Sequence, residues 1–332
     1  MHKKIIIRCD AAESPIIGTG HLYRSILIYK YLKKKLKLYN KEILLIVKNK
    51  DKFTISDKIL KSEKIKFLPI NTKIKDYSNQ EIDYINKFTS NLLIIDRWGS
   101  INKNSINILK KNHKKIILID DGSKFKKLVN LSLNPLKLNN KKTKNNFSGH
   151  NYNILPSYFH KKDNNKTIRK SIFIFFGGYD RKKLTPFFLK KLSTISMEFK
   201  LIIHEKYKKI TKNMKNKIQF YNNKGHYKYL QKSDIVICSG GLGMFDAIFF
   251  NKFTICFPQY KHQSTNINIL SKKKVVEKLN KRKIKNLKNI IYSFYVNNAK
   301  IKELQRRQKK IINIRSIQNT LNLILKCYEK NY

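Results

Sequence analysis

The chain has 332 residues, and 41% of them are hydrophobic, which excludes a disordered chain and favours two domains over one ordinary core. The 73 lysines and arginines exceed the 21 aspartates and glutamates and give a net charge of +52. Because these residues are spread along the whole length, compositional bias and a solvated surface explain the charge better than a nucleic-acid partner. A genuine preference for anions, such as phosphates, an acidic glycan or a membrane surface, stays open.

The apolar runs predict neither a secretion signal nor a membrane span. Three consecutive isoleucines near the start are too few for a signal-peptide core. The long apolar stretch at 234–257 contains Asp246, Lys252 and three glycines, which fits a buried strand–helix–strand unit better than a transmembrane helix. We therefore expect a cytoplasmic protein, with a monomer favoured although the sequence leaves the oligomeric state open.

The cysteines give no sign of metal or disulfide chemistry. They are Cys9, Cys238, Cys256 and Cys327. No two of them stand at metal-ligand spacing, and three lie in or beside apolar runs, so buried free thiols in a reducing compartment are expected.

In the first half of the chain, short apolar runs alternate with longer amphipathic segments. The runs predicted as strands buried on both faces are 4–9, 42–47, 91–96 and 115–120. The segments with apolar residues at helical spacing are 21–38, 79–89 and 101–112. This alternation is typical of an open parallel sheet covered by helices, and we assign residues 1–160 to an N-terminal Rossmann-like domain.

The polar segment 160–170 is predicted as a linker, and a second alternating set follows it. Its predicted strands are 171–178, 199–204, 217–221, 234–239 and 253–257. Its predicted helices are 183–196, 226–232, 242–250, 263–273, 285–296 and a long closing helix at about 299–328. We therefore assign residues 170–332 to a C-terminal Rossmann-like domain, so that the chain is an α/β protein with two doubly wound halves and a cleft between them.

The first predicted strand is followed by a glycine hinge and a histidine. Gly18 and Gly20 permit a sharp turn or a close approach to a ligand, and His21 begins the next predicted helix. The positive potential of a helix N-terminus favours a neutral imidazole, which can accept a proton as a general base. A histidine that only caps or packs is the alternative. The third glycine of the dinucleotide fingerprint is missing, so an NAD site is not expected.

Three carboxylates follow two neighbouring predicted strands. Asp96 follows the strand at 91–95, and Asp120 with Asp121 follows the strand at 115–119. They could bind a divalent cation, cap helices or pair with Arg8 and Arg24. Without a histidine-rich set beside them, a metal site is not expected.

Glycine-rich loops also follow strands in the second half. Gly177 and Gly178 follow one strand, and SGGLGMFDA at 239–247 follows another, in a form that can cradle a diphosphate with Asp246 near ribose hydroxyls. The next strand is followed by PQYKHQSTN, which contains Gln263 and Asn266. Each glycine loop alone is explained by a turn. These two loops and the loop of Gly18 and Gly20 in the first half all follow strands, and together they favour a nucleotide-sugar cleft.

Seven stretches taken in order carry a family resemblance that covers about residues 4–275. They are RCDAAESPIIGTGHLYR, LLIIDRWG, LIDD, GHNYNILPSYF, FFGGYD, SGGLGMFDA and HQSTN. This set resembles the UDP-sugar hydrolases of pseudaminic acid biosynthesis, which are relatives of the two-domain GT-B glycosyltransferases and of spore-coat polysaccharide proteins.

The resemblance implies a reaction and a set of site residues. The reaction is the hydrolysis of UDP-2,4-diacetamido-2,4,6-trideoxy-β-L-altropyranose to UDP and the free sugar with inversion, without a metal or other cofactor, and His21 is its general base. The implied substrate-binding residues are Arg8, Asp10, Gly18, Gly20, Arg24, Asp96, Trp98, Tyr152, Gly177 and Gly178. The implied nucleotide-binding residues are Ser239, Gly240, Gly241, Gly243, Asp246, Gln263 and Asn266.

Some positions depart from the family pattern and leave the sugar open. Arg97 and Trp98 stand where His and Tyr are common, Pro156 replaces an arginine, Asp246 replaces a glutamate, and His262 replaces an asparagine found in many relatives. Two other functions stay open. One is a GT-B glycosyltransferase, in which a sugar or lipid-linked hydroxyl replaces water, and the other, suggested only by the net charge, is a nucleic-acid-binding protein.

Overall fold

A computed structural model of the protein describes residues 2–12, 14, 17–137, 144–160, 168–193, 198–222, 225–280 and 282–329. The chain divides into two compact units, one of Met1–Ile154 with Ile314–Tyr332 and one of Leu155–Asn313. Each unit is built on one parallel sheet. Most of the segment predicted as a linker, 161–167, lies outside the described residues.

Over its described residues, the first unit begins with seven strands and four α-helices. The strands are β1 (His2–Cys9), β2 (Ile43–Val47), β3 (Phe67–Pro69), β4 (Thr89–Gly99), β5 (His113–Asp121), β6 (Leu131–Asn134) and β7 (Asn146–Ser148). The helices are α1 (Gly20–Lys35), α2 (Thr54–Ser62), α3 (Asn79–Asn86) and α4 (Lys103–Asn112).

The seven strands pair in the order β3-β2-β1-β4-β5-β6-β7, and every pair is parallel. In the centre, Ile7 of β1 pairs with Leu45 of β2 on one side and with Ile94 of β4 on the other, and all three are fully buried. The strand order runs outwards in opposite directions from β1 and β4. A doubly wound sheet binds its ligands at the carboxyl ends of these two strands, because the connections leave a crevice there.

The second unit repeats this plan with six strands and six α-helices in its described part. The strands are β8 (Ser171–Phe175), β9 (Lys200–His204), β10 (Ile218–Tyr221), β11 (Ile235–Cys238), β12 (Phe253–Cys256) and β13 (Glu277–Lys278). The helices are α5 (Leu184–Leu192), α6 (His226–Lys232), α7 (Leu242–Phe249), α8 (Lys261–Lys272), α9 (Leu287–Val296) and α10 (Asn298–Ile311). The parallel order is β10-β9-β8-β11-β12-β13, so its reversal lies between β8 and β11.

The predicted fold class, two doubly wound parallel sheets, is confirmed by these topologies. The prediction missed one helix, α2, and four short strands at or near sheet edges, β3, β6, β7 and β13, which have three, four, three and two residues. Three of the cysteines, Cys9, Cys238 and Cys256, are buried free thiols, and Cys327 is partly exposed.

The end of the chain differs from the single closing helix expected for the C-terminal domain. The helix breaks at Ile312, whose backbone is extended, and a separate helix α11 (Ile314–Glu329) follows. Helix α11 belongs to the first unit, where it buries Ile317, Leu321 and Ile324 along one face. Lys115 Nζ of β5 donates to the carbonyl of Tyr328, 2.7 Å away, which ties the end of α11 to the first sheet.

None of the described helices combines the length and the apolar character that are needed to cross a lipid bilayer.

A buried histidine links the stability of the first unit to pH. His113 begins β5 with 1% of its surface exposed, and its Nδ1 lies 2.8 Å from Ser90 Oγ. Its Nε2 has no hydrogen-bond partner in the described part of the chain. Burial therefore lowers the pKa of His113 to about 4. The ring stays neutral in the fold while it takes up a proton in the unfolded chain below about pH 6.5, so its share of the stability is lost as the pH falls from there towards 4.

Replacing His113 with Gln removes this loss. Between about pH 7.5 and pH 5, we expect the free energy of unfolding of the unaltered protein to fall by about 2 kcal/mol more than that of His113→Gln. Urea denaturation at the two pH values measures the difference. The control is His2→Gln, which removes an exposed imidazole. Equal acid dependence of His113→Gln and the unaltered protein would contradict the assignment.

Candidate active site

A cluster of charged side chains lies where β1, β4, β5 and the first turns of α1 meet. Cys9 at the end of β1 pairs with Asp96 of β4, and Asp96 pairs in turn with Ile119 of β5, so the three strand ends are neighbours. Helix α1 begins at Gly20 and brings His21 and Arg24 to the same place. Pairing of Asp96 with Arg24 was one of the alternatives open from the sequence, whereas the contact with His21 was not predicted.

Asp96 is fully buried and accepts hydrogen bonds at both of its oxygens. Arg24 Nε donates to Oδ2 at 2.9 Å and Ser25 Oγ donates to the same oxygen at 3.1 Å. Arg24 Nη2 donates to Oδ1, and His21 Nδ1 lies 2.8 Å from that oxygen. Burial on its own raises the pKa of Asp96, but the charge of Arg24 and the hydrogen bonds from Arg24 and His21 outweigh it and lower the pKa to about 2. Asp96 is therefore a carboxylate at neutral pH.

The ionised Asp96 decides which nitrogen of His21 carries the proton. A carboxylate can only accept, so the 2.8 Å contact requires that Nδ1 of His21 donates. Arg24 Nη2 lies 3.0 Å from the same Nδ1, but its two hydrogens go to Asp96 Oδ1 and to Asp120 Oδ2. The neutral ring then keeps its lone pair on Nε2. Since the side chain of His21 is 19% exposed, this lone pair belongs to a group that solvent and ligands can reach.

Arg24 joins two carboxylates in the interior of the unit. Its Nη2 donates to Asp120 Oδ2 at 2.8 Å as well as to Asp96, and the arginine side chain is fully buried. Burial lowers the pKa of a guanidinium, but the charges of Asp120 and Asp96 outweigh that effect and raise the pKa of Arg24. This geometry gives Arg24 a supporting position, whereas the resemblance implies contact with the substrate. Its Nη1 has no hydrogen-bond partner among the described residues.

The three aspartates at the ends of β4 and β5 have different roles. Asp96 and Asp120 share Arg24, whereas Asp121 accepts from the backbone N–H of Ile101 at 3.0 Å and of Ser123 at 2.8 Å. Of the alternatives open from the sequence, the structure has pairing with Arg24 for Asp96 and Asp120. Asp121 instead holds two loop amides, a role that was not predicted. Within the described residues, no set of three His, Cys, Asp or Glu side chains is placed to hold a metal ion.

Arg8 and Asp10 form a second buried cluster with each other. Two nitrogens of Arg8 donate to the two carboxylate oxygens of Asp10 at 2.6 Å, and its Nε donates to Glu81 at 3.0 Å. Glu81 of α3 also accepts both terminal nitrogens of Arg97. Arg8 has no exposed surface and Asp10 has 2%, so the structure favours a supporting role over the implied direct contact with substrate.

Sequence reasoning missed Glu81, which has no position in any motif. Burial raises its pKa, but the charges and hydrogen bonds of Arg8 and Arg97 lower it to about 2. The only signal in the sequence is a single acidic residue on the apolar side of an amphipathic helix, where a carboxylate needs a cationic partner.

The remaining predicted residues of the first unit are not all near the dyad of His21 and Asp96. Trp98 lies at the end of β4 with 63% of its surface exposed, which suits stacking on a ligand. Gly18 is exposed, and a side chain there would meet nothing within 4 Å, so the loop before α1 is open on that side. Tyr152 follows β7, three strands away from β4, and its ring packs 5.2 Å from that of Phe147.

In the second unit, the loop after β8 caps the start of α5. Gly177 has φ +87°, a backbone conformation that favours glycine, and Gly178 follows it. Asp180 then accepts from the backbone N–H of Leu184 at 2.8 Å and of Thr185 at 2.7 Å. The carboxylate of the Gly-Gly-x-Asp loop therefore caps a helix.

The glycines after β11 allow the loop before α7 to lie close to α8, and α7 to lie close to β8. A Cβ on Gly240 would lie 2.8 Å from the carbonyl oxygen of Gln263, and a Cβ on Gly243 would lie 3.0 Å from the ring of Phe175. Ser239 and Gly241 complete the loop before α7, whose first N–H groups point away from the helix.

The loop after β12 is fixed by a glutamine that the sequence analysis did not select. Gln259 Nε2 donates to the carbonyl of Phe176 after β8, and the backbone N–H of Gln259 donates to Gln263 Oε1 at 2.9 Å. This joins the carboxyl ends of β8 and β12, with Gln263 and the buried Asn266 on the first turns of α8. A glutamine directly after a strand, as in PQY, was the available signal.

Asp246 of α7 is a buried carboxyl group without an ion pair among the described residues. Its Oδ1 has no hydrogen-bond partner in the described part of the chain. Burial raises the pKa of Asp246 to about 7, even though hydrogen bonding with Ser157 opposes the rise. The group is thus held largely protonated below neutral pH, unlike Asp96 in the first unit.

Comparison with known proteins finds similar folds at very low sequence identity. The sequence matches no protein-family model and no curated protein. Acinetobacter baumannii MurG is similar with a TM-score of 0.65 and 12% identity, covering 98% of this chain and 99% of that one. Spinosyn forosaminyltransferase SpnP gives 0.63 and 9%, covering 98% and 100%. The UDP-GlcNAc 2-epimerase from Neisseria meningitidis, bound to UDP-GlcNAc, gives 0.60 and 11%, covering 100% of both chains. The two parallel-sheet units therefore have the Rossmann-like domain architecture of the GT-B fold.

The contact of Gly240 with α8 predicts a position-specific loss of stability. Gly240→Ala places a methyl group against a backbone carbonyl, so we expect the free energy of unfolding to fall by about 2 kcal/mol. The matched control is Gly241→Ala, whose Cβ would lie 3.7 Å from Gln263 Nε2, an ordinary contact. Urea denaturation compares the variants, and equal losses would show that α8 does not require the glycine.

The raised pKa of Asp246 predicts a pH-dependent gain from Asp246→Asn. In the unfolded chain the carboxyl group of Asp246 ionises above about pH 4, whereas in the fold it stays protonated up to about pH 7. The free energy of unfolding therefore falls as the pH rises from about 4 to 7, and this loss is absent at lower pH. At pH 8 we expect Asp246→Asn to unfold with a free energy about 4 kcal/mol higher than the unaltered protein. The exposed Asp83, replaced by Asn, controls for the change in net charge. A gain at pH 4 equal to that at pH 8 would contradict this origin.

Proposed function

We propose that the protein is an enzyme that hydrolyses a UDP-sugar, releasing UDP and the free sugar by inverting attack of water at the anomeric carbon. The observation that carries this proposal is the contact between His21 and Asp96, 2.8 Å long, at the reversal point of a doubly wound sheet. It supplies an accessible imidazole whose Nε2 is free to accept a proton.

The proposed reaction consists of one proton transfer to His21 and one exchange of bonds at the anomeric carbon. Nε2 of His21 accepts a proton from water as the water oxygen bonds to the anomeric carbon. The bond between that carbon and the diphosphate oxygen breaks, and its electron pair leaves with UDP. Asp96 holds the ring in the tautomer that leaves Nε2 free, and it stabilises the imidazolium that forms. Because UDP is already a good leaving group, placing the water and accepting its proton are the main demands.

Two further lines support a UDP-sugar as the substrate. The ordered motifs resemble those of the UDP-sugar hydrolases of pseudaminic acid biosynthesis, which favours the 2,4-diacetamido-2,4,6-trideoxy-L-altrose derivative. The similar structures include an epimerase bound to UDP-GlcNAc, whose chain is covered completely. The nucleotide half would be held by the second unit, through the loop of Ser239–Gly243, Asp246, Gln263 and Asn266, and Trp98 would stack on the sugar or its ring substituents. The net charge of +52 would attract the dianionic diphosphate.

A GT-B glycosyltransferase is the second candidate, because SpnP, a forosaminyltransferase, is among the similar structures. The same histidine would then deprotonate an acceptor hydroxyl. Incubating the protein with the altrose-type UDP-sugar without any acceptor separates the two. Complete conversion to UDP and free sugar with many turnovers, followed by NMR, is expected of the hydrolase, and only slow background release is expected of the transferase.

Replacing His21 tests the base directly. We expect His21→Ala to lower turnover by about a thousandfold, since general-base assistance is lost, while UDP affinity changes little. The same NMR time course measures turnover, and calorimetric titration with UDP measures binding. Full turnover by a folded His21→Ala would remove His21 from the mechanism.

A further inference from the structure

Buried charged side chains form a row that leads from Asp120 through Arg24 and Asp96 to His21. Asp120 Oδ2 accepts from Arg24 Nη2 at 2.8 Å, and the same nitrogen donates to Asp96 Oδ1, the oxygen that faces His21 Nδ1. Asp120 has 4% of its surface exposed, and its neighbour along the chain, Asp121, points to backbone amides. The only charged side chain that Asp120 contacts by a hydrogen bond within the described residues is Arg24.

The backbone of Asp120 supports a demanding placement. Its φ is +59°, in the left-handed region that side-chain-bearing residues seldom adopt, at the strand end that faces the site. Aspartate and asparagine enter this region more readily than other residues with side chains. The side chain of Asp120 forms an ion pair with Arg24. Nη2 of Arg24 gives one hydrogen to Asp120, while its other hydrogen and that of Nε go to Asp96.

The charges in this row do not cancel. Arg24 is one positive charge between two buried carboxylates, so the group of three has one negative charge left to meet a proton on His21.

Three further titratable groups lie at these strand ends. Burial raises the pKa of the Cys9 thiol to about 12, so it stays neutral. The carboxylate of Asp121 and the ammonium group of Lys126, which donates to the Asp121 carbonyl at 2.9 Å, have opposite charges and offset each other. Arg8 and Asp10, next along β1, neutralise each other.

We propose that Asp120 is a positioning residue for the reaction of His21, acting through Arg24: it shares the guanidinium with Asp96 and so leaves enough negative charge for the imidazolium. This inference rests on the proposed function in taking His21 as the base. In this role Asp120 does not contact the substrate, and its charge sets how readily the His21 ring takes up a proton.

Asp120→Asn is the test, because asparagine tolerates a left-handed backbone and its oxygen can still accept from Arg24. With one negative charge removed, Arg24 compensates Asp96 more completely and the protonated ring is less stabilised. We expect the acid limb of the pH–rate profile to move down by about one pH unit. Turnover should fall about tenfold while KM changes less than about twofold.

The same coupling is measured without substrate. Ring resonances of His21 are assigned by their absence from the spectrum of His21→Gln, and their midpoint in a pH titration should move down by about one unit in Asp120→Asn. Asp120→Gly, which suits the backbone, provides a second neutral variant with the same expected shift. Asp121→Asn, which damages the neighbouring loop, should move the midpoint clearly less, and Asp120→Glu should keep it near that of the unaltered protein.

The outcomes separate the two proposals. If Asp120→Asn and Asp120→Gly are folded and the His21 midpoint does not move, the positioning role is overturned whether or not the protein hydrolyses a UDP-sugar. If the midpoint moves as expected but no variant or unaltered protein releases UDP, the coupling stands and the proposed reaction fails. A loss of activity with an unmoved acid limb would assign Asp120 a structural role only.

Discussion

The buried carboxylate of Asp96 is the constraint on which the first unit's site depends. A charge in the interior is tolerated only when donors surround it, and Asp96 has them from Arg24, Ser25 and His21. All three donors lie on the first turns of α1, whereas the acceptor lies on β4. Helix α1 therefore cannot move from the sheet without leaving a bare charge, and this requirement holds His21 where a ligand at the strand ends would meet it.

The two sheets share one topology but place different chemistry at their strand ends. In the first unit, charged pairs are buried there, and the tautomer of His21 follows from them. In the second unit, the corresponding ends carry glycines that permit close packing, amide side chains, and an Asp246 whose carboxyl group resists ionisation. Paired charges suit proton transfer, whereas backbone N–H groups and neutral donors suit an anion whose own charge must not be repelled. The proposed division between a base-bearing unit and a nucleotide-holding unit has this physical basis.

The parts of the fold that the sequence predicted are those fixed by local pattern. Runs such as residues 4–9 and 91–96 are largely apolar because central parallel strands are buried on both faces, and this made the strands recognisable. The contact between His21 and Asp96 was not predicted, since it depends on how α1 packs against β4. The short strands near sheet edges, such as β13, have too few residues to show a period. The sequence shows the apolar face of α11, but it does not show which hydrophobic core that face packs against. The prediction therefore did not place α11 in the first unit. Likewise, only tertiary contacts reveal that Glu81 serves two arginines and that Asp120 needs a left-handed backbone.

The large positive charge of the chain and the local charge of the site have opposite signs, and they act over different distances. The buried clusters are balanced or negative: Arg8 and Arg97 meet Asp10 and Glu81, and Arg24 meets Asp96 and Asp120. A cationic surface raises the local concentration of an anionic substrate, and dissolved salt screens that attraction within about 10 Å. The buried negative charge beside His21 is screened far less, because water and ions do not reach it. The long-range attraction of anions and the local charge beside His21 therefore act independently of each other.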